Sequence, residues 1–495
     1  MKILKYLTLI SIALLLFSCS EDVMDEVNTD QNNPADMDAR NMIPDLILKT
    51  AFQTVATDIA WYATVYIEHA AGTWAQSSEA DRRVAQNSAS LFNNSWNQIY
   101  DVMNMSNVII EKTDPVTGSE PDNYAARGIG QILMAYNLSV ATDMWGEIPY
   151  SEAFQGAQNL QPRYDRQSDL YPIIGQLLDD GIANMGRATL LFPDRDYIYG
   201  TVGIAGLSGA AYRDAWVKFG YALKARLSLR LTNIGGVAAA QAALDAAANS
   251  FTSAADQALF GGNFAVARNR GNPWGEFWFD RNHLSVSSTI HGLMDERNDP
   301  RMPRYFGPGP IAPIGTADNV QGLYAGSRYT TGWGAWTMPI TVFTYQELKF
   351  IEAEASFRVG AADWQDALKE AIAASWAFHG QPLFQEILDE DDNVVETIDF
   401  DVWFDEEVVT RLTAGNELEE IMTQKYIALY DREAIEVYND YRRTGFPEMK
   451  NPNNATTGFV WRFPFALSEV QSNPANVPSI DVHTDKVWWA GGSEN

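Results

Sequence analysis

The residues best suited to chemistry in this chain are few, and their spacing argues against most reactions. Five histidines, His69, His283, His291, His379 and His483, stand far apart. None forms an H-E-x-x-H or H-x-H arrangement, so the sequence predicts no zinc site. There is no G-x-S-x-G elbow for an acyl hydrolase and no phosphate-cradling glycine motif ending in Lys-Ser or Lys-Thr. A glycosidase needs only two well-placed carboxylates, and 64 acidic residues leave that class open on composition alone. Individual candidates read as structural. Glu352 and Glu354 lie in an Ala-rich helix and suit bridges to a neighbouring helix. Asp389-Glu390-Asp391-Asp392 lacks the D-x-D-x-D-G loop with its twelfth-position glutamate and suits a solvated turn. Asp440, Arg442 and Arg443 in "NDYRRTGFP" suit a charge network at a helix end, because guanidinium pairs bidentately with carboxylate. No catalytic residue, metal or cofactor is expected.

Aromatic residues point to binding instead. Residues 271–336 hold Trp274, Trp278, Trp333 and Trp336, beside Tyr324 and Tyr329 and interleaved with glycine. A flat aromatic face stacks on the apolar side of a sugar ring while polar groups bond the hydroxyls at its rim. "NPWGEFWFDRN" supplies both kinds, with Asn272, Asp280, Arg281 and Asn282 around its tryptophans. Peptides are gripped by the same platform, so the cluster indicates binding more than it indicates sugar. Any single tryptophan of the group more often fastens a loop to the body; one or two of the group are expected to be exposed. Trp74, where a helix breaks at Gly72 in "EHAAGTWAQSS", is a second candidate, with exposure and packing equally weighted.

These residues need a scaffold, and the chain reads as helix after helix. Segments 45–70, 91–113, 123–146, 169–185, 211–233, 343–360, 363–380 and 417–445 carry apolar residues at helical spacing, as in Trp96, Ile99, Val102, Met103, Ile109 and Ile110. Small residues such as Ala353, Ala355, Ala371, Ala373 and Ala374 allow close helix approach. Paired helices of this sort resemble tetratricopeptide-like stacking, although the period is irregular. Residues 260–340, 381–410 and 446–495 break the rhythm. In the second of these, "LDEDDNVVETIDF" reads as a turn between two short strands. One large, mainly α domain with long ordered loops is predicted over residues 38–495, its ligand-binding loops at about 260–340.

Charge narrows the partners. Against 35 Lys and Arg stand 64 Asp and Glu, for a net −29. That surface repels nucleic acid and anionic lipid headgroups. The only cysteine, Cys19, follows a positive start (Lys2, Lys5) and an apolar run from Leu7 to Phe17 that is too short to span a bilayer. The first 18 residues therefore read as a leader. Leu16-Phe17-Ser18-Cys19 resembles a bacterial lipobox, with Cys19 the lipidated residue and residues 19–37 a flexible tether. No thiol then remains for a disulfide, so the hydrophobic core alone must hold the fold.

Three blocks carry a family resemblance. "MTQKYIALYDREAIEVYNDYRRTGFP" (422–447) followed by "RFPFALSEVQSNPANV" (462–477) resembles the C-terminal signature of the SusD/RagB family. "ATDMWGEIPYSEAFQG" (141–156) with "RYDRQSDLYPIIGQLLDDG" (163–181) resembles its central segment, and "TYQELKFIEAEASFRVG" (344–360) the helix opening its third pair. "CSEDVMDE" resembles the start of surface-exported Bacteroidetes lipoproteins. The resemblance implies a SusD-like fold of four tetratricopeptide-like helix pairs bearing irregular loops. It implies an outer-membrane, cell-surface lipoprotein that captures a glycan without catalysis, as a hinged lid on a SusC-like TonB-dependent transporter. A peptide-binding lid and a surface glycosidase are the alternatives. The loops that bind ligand in glycan-binding relatives are comparable to Trp74 and the 271–336 cluster, so Trp74, Asn272, Trp274, Trp278, Arg281, Tyr324, Tyr329, Trp333 and Trp336 form the candidate site.

Overall fold

The computed structural model describes residues 37–89, 91–261, 264–267, 270–324, 336–390, 393–430 and 432–494. Cys19, Tyr329 and Trp333 lie outside them. Helix α1 (Ala39–Lys49) runs into a π-helical stretch, Thr50–Val55, and α2 (Asp58–Tyr66) follows. The apolar run over 45–70 is thus two helices. Thr57 takes non-helical dihedrals between them (φ −129°, ψ −146°), and Asp58 places a carboxylate in the first turn of the second, where the helix dipole favours it. After α3 (Ala75–Asp81) come α4 (Asn93–Lys112), α5 (Tyr124–Trp145) and α6 (Gln167–Arg187).

Helix α5 is buried nearly all round, which its small residues make possible. At its crossing with α6, Gly128 and Gly181 face each other. A Cβ on Gly128 would lie 2.9 Å from the Gly181 carbonyl oxygen, too close for any side chain. Asn123 caps α5 by accepting the Ala126 N–H.

Helices α7 (Gly209–Arg230) and α8 (Thr232–Ala247) form a hairpin through Leu231. Helices α9 (Pro273–Arg281) and α10 (Ser288–Asp295) lie in the stretch expected to be irregular. Then α11 (Tyr345–Val359) and α12 (Trp364–Phe378) make a second hairpin, and α13 (Glu417–Ala428) and α14 (Ala434–Thr444) a third. The single run expected over 417–445 breaks between the last two. There the buried Glu433 carboxylate accepts from the Thr344 N–H and hydroxyl (2.9 and 2.8 Å), tying this turn to the start of α11. Packing follows chain order, α4 on α5, α5 on α6, α6 on α7, α7 on α8, α8 on α11 and α11 on α12, with α13 against α11 and α12 and α14 against α2. This is a tetratricopeptide-like scaffold.

Strands are short and paired in twos. Antiparallel β1 (Ala70–Gly72) and β3 (Leu284–Val286) meet with Ala70 opposite Val286 and Gly72 opposite Leu284. Strand β2 (Ala258–Phe260) pairs with β4 (Ile340–Phe343), which leads into α11. Strands β5 (Phe384–Leu388) and β6 (Val394–Asp399) form the hairpin that the sequence indicated, and Asp389 accepts the Asn393 N–H (2.9 Å) at its turn.

A buried ionic network joins the helices. Arg443 on α14 is paired with Glu354 on α11 and with Asp440, which in turn meets Lys425 on α13 at 2.6 Å. Arg226 on α7 holds Glu347 at 2.8 and 2.5 Å, and Arg230 pairs with Glu436. The charge-network reading of Asp440 and Arg443 and the bridging reading of Glu354 are therefore structural facts. Arg442 donates to the Trp461 carbonyl and to Asn439. Glu352 takes the Lys349 ammonium (2.5 Å), which also reaches Glu370 on α12.

Candidate functional site

The pairing of β1 with β3 is what builds a cleft. Helix α2 runs into β1, and α9 runs into β3. The antiparallel ladder, continued by the Thr73 N–H on the His283 carbonyl (2.8 Å), thus sets the two helices side by side. The ring of Trp61 on α2 lies flat on that of Phe277 on α9, centroids 3.9 Å apart and planes 14° from parallel. Helix α3 is folded tightly against β1. A Cβ on Gly72 would fall 1.8 Å from the Ser77 carbonyl oxygen, so only glycine permits that approach.

Between these elements opens a cleft of about 730 Å³. Asp58, Trp61 and Tyr62 line it from α2, and Gln76 and Ser77 from α3. Phe92, Asn93 and Asn94 close it at the start of α4. Tyr62 meets Phe92 edge-on at 4.8 Å, and Phe92 stacks on the buried Phe463 at 3.9 Å, so the aromatic wall is backed by the core.

Helix α9 presents Pro273, Glu276, Phe277 and Asp280 to the cleft, an i, i+3, i+4, i+7 set on one helical face, with Arg281 at its edge. Its opposite face carries Trp274 and Trp278 into the core. Trp278 is 1% exposed and Trp274 9%. Asn272 is buried as the cap of this helix. Its side-chain oxygen accepts the Trp274 N–H (2.9 Å), its amide donates to the Met338 carbonyl (2.9 Å), and its backbone N–H donates to the Trp336 carbonyl (2.7 Å). Asn272 and Trp274 border a separate void of about 30 Å³, room for about one water. The platform expected at Trp274 and Trp278 is therefore occupied by their neighbour Phe277 with Trp61 and Tyr62. The segment read as loop is a helix, and a helix turns only one face outward.

Of the other candidates, Arg281 lines the cleft, and Trp74 is 51% exposed beside Ala75–Ser77 on its rim. Trp336 is half-buried against Gly271, and Tyr324 is half-buried outside the lining. Sequence reasoning passed over Trp61 and Tyr62 because they sit within an apolar run that reads as core. The signal available was the Thr57-Asp58 helix start, which places Asp58, Trp61 and Tyr62 on one face.

The electrostatics of the cleft are acidic. Burial raises the pKa of Asp58, which has no hydrogen-bond or ion-pair partner among the described residues. Burial, with the charges of Asp58 and Glu79, pushes the Tyr62 hydroxyl up. Burial and the charge on Arg281 hold the His283 imidazole down, so it is neutral at pH 7. Glu276 accepts the Arg270 and Gly271 N–H groups (3.0 and 2.7 Å) and so ties the loop entering α9. His69 and His379 stand elsewhere, donating to the Tyr426 and Ala428 carbonyls at 2.9 Å. Among the described residues no three His, Cys, Asp or Glu side chains converge as a metal site, and no helix is long and apolar enough to cross a membrane.

A helical scaffold carrying an aromatic, polar-rimmed cleft between its helices defines a binding protein of the SusD class. The chain belongs to the SusD-like family described as starch-binding and associating with the outer membrane, matched over residues 31–464. It is 31% identical to a SusD/RagB family protein of Bacteroides thetaiotaomicron VPI-5482 of solved structure, with a TM-score of 0.78, covering 93% of this chain and 100% of that one. A SusD homolog from Bacteroides uniformis is 20% identical with a TM-score of 0.70, covering 92% and 100%. A chitin-binding SusD homolog from Flavobacterium johnsoniae is 19% identical with a TM-score of 0.69, covering 92% and 99%. No curated protein matches the chain.

Proposed function

We propose that this protein captures an oligosaccharide or polysaccharide at the cell surface and hands it to a SusC-like TonB-dependent transporter, without catalysis. The observation that carries this reading is the Trp61–Phe277 wall in a cleft rimmed by amides and carboxylates. Aromatic faces take the apolar face of a pyranose, and Gln76, Asn93, Asn94, Asp280 and Arg281 supply donors and acceptors for its hydroxyls. Family membership and the chitin-binding relative add support. Residues 1–18 are a leader, Cys19 carries the lipid, and residues 19–37 tether the domain of residues 38–495 to the outer membrane. Such a tether holds the domain near its transporter at a high effective concentration.

The test is retention of the protein in gels containing different polysaccharides, with the liquid assayed for released sugar. Retention by at least one polysaccharide, lost in Trp61→Ala and without sugar release, supports the reading. Sugar release overturns its non-catalytic part. If no polysaccharide retains the protein and peptides bind in the same cleft, the ligand is peptide.

A further inference from the structure

The cleft's charge names a class of sugar, on the reading above that this cleft is the glycan site. Its lining carries the carboxylates Asp58, Glu276 and Asp280 against one guanidinium, Arg281, while burial and that guanidinium hold the His283 imidazole below its ordinary range. Glu79 on α3 adds a further negative charge close to Tyr62. Glu276 is spent on the loop that enters α9. Asp58 differs. It projects from the first turn of α2 into the cleft, beside the aromatic wall, with no donor among the described residues. A helix N-terminus accounts for an acidic residue at this position, but not for one left without a partner inside an aromatic cleft. A half-buried carboxylate of this kind is satisfied best by a ligand that brings its own positive donor. An anionic sugar would be repelled by the same field.

We propose that the cleft selects glycans with free amino groups, seating the ammonium of a glucosamine-type pyranose against Asp58 while the ring lies along the Trp61–Phe277 wall. Neutral sugars then bind by stacking and hydroxyl contacts alone, and uronate or sulfated sugars bind worst. Asp58 is the specificity-determining residue, and Trp61 supplies affinity for every sugar.

Calorimetry on the full chain in detergent tests this with a glucosamine tetramer and the same tetramer fully N-acetylated. Wild type is expected to bind the free-amine tetramer at least about tenfold more tightly at pH 6, the scale of one charge-assisted hydrogen bond. In Asp58→Asn the ratio of the two affinities falls to about one, whatever the change in absolute affinity. In wild type the preference also disappears at a pH where the ligand amine is neutral, a readout independent of the variant's folding. Equal affinities in wild type, or a preference that survives in Asp58→Asn as general attraction to an acidic surface, overturns the proposal and leaves the glycan reading intact. Binding of neither tetramer and of no other polysaccharide overturns both.

Discussion

Trp61 lies flat on Phe277, 3.9 Å between centroids, and this contact closes the joint between α2 and α9 that the β1–β3 ladder sets up. The pair thus has two roles, as wall of the cleft and as the clasp that keeps the wall in place. Stacked aromatic pairs contribute about 0.5–1.5 kcal/mol beyond the area that they bury. Trp61→Ala and Phe277→Ala should each lower stability by about 1–3 kcal/mol, less than a fully buried aromatic would. A double-mutant cycle in urea should return about 0.5–1.5 kcal/mol of coupling. Additive losses would mean that the rings touch without holding the helices together. Trp278→Ala, in the core behind them, should lose about 3–5 kcal/mol.

The ionic network gives a second expectation. Glu354 and Arg443 are both fully buried, and Arg443 also holds Asp440. Glu354→Gln leaves a buried guanidinium short of charge and should lower stability by about 3–5 kcal/mol. Replacing both partners by leucine should recover part of that loss, because neither member of the pair is then stranded, while Asp440 keeps Lys425 and the more exposed Arg358 gives up Glu354 for water. A double variant no more stable than the single one would show that the network as a whole, and not the stranded arginine, sets the cost.

Much of the fold is legible in the sequence. Helical periodicity located α4, α5, α6, α7, α11 and α12, because each buries one face or, for α5, all faces against neighbours. The family blocks proved to be scaffold: "NDYRRTGFP" is the charge network, fixed by Arg–carboxylate geometry. The cleft was harder to see. Its α9 segment is dense in glycine, proline and aromatics, the composition of a loop, yet Asn272 caps it and Pro273 fits the first helical turn, so it winds. Winding sends Trp274 inward and Phe277 outward, a choice that residue type alone could not make. Trp61 was hidden for the converse reason, inside a run apolar enough to be core. The partner that exposes it to the cleft arrives from the far side of a sheet that local sequence does not encode.

Opposed buried groups should set the acid response. Burial holds His69 down to about 3, against 6.5 when unfolded, so the unfolded chain binds the extra proton. Its contribution is present above pH 6.5 and is lost as pH falls toward 3. His379, also lowered by burial, acts in the same sense. Asp81 is the reverse: burial holds it up to about 7, against 3.8 unfolded. Its contribution is present below pH 3.8 and is lost as pH rises through 7. Asp81→Asn should therefore make stability climb more steeply with pH between 4 and 7, and His69→Gln should make it climb less between 3 and 6.5. Urea midpoints across this range decide it; curves parallel to wild type would remove both groups from the balance.

Gly72 ties fold to site in one position. The Ser77 carbonyl sits where its Cβ would be, so Gly72→Ala must push α3 away from β1. Overpacking of this kind costs about 1–3 kcal/mol or more. Because Gln76 and Ser77 line the cleft from α3, the same displacement should weaken ligand binding beyond what the stability loss alone produces. Gly175, inside α6 with open space where its Cβ would stand, is the control. Gly175→Ala should leave binding unchanged and add about 0.5–1 kcal/mol, since alanine loses less backbone entropy in a helix. Both are read by urea unfolding and by retention in a polysaccharide gel. If Gly72→Ala unfolds earlier but is retained as wild type below its transition, α3 forms a boundary of the cleft without touching the ligand.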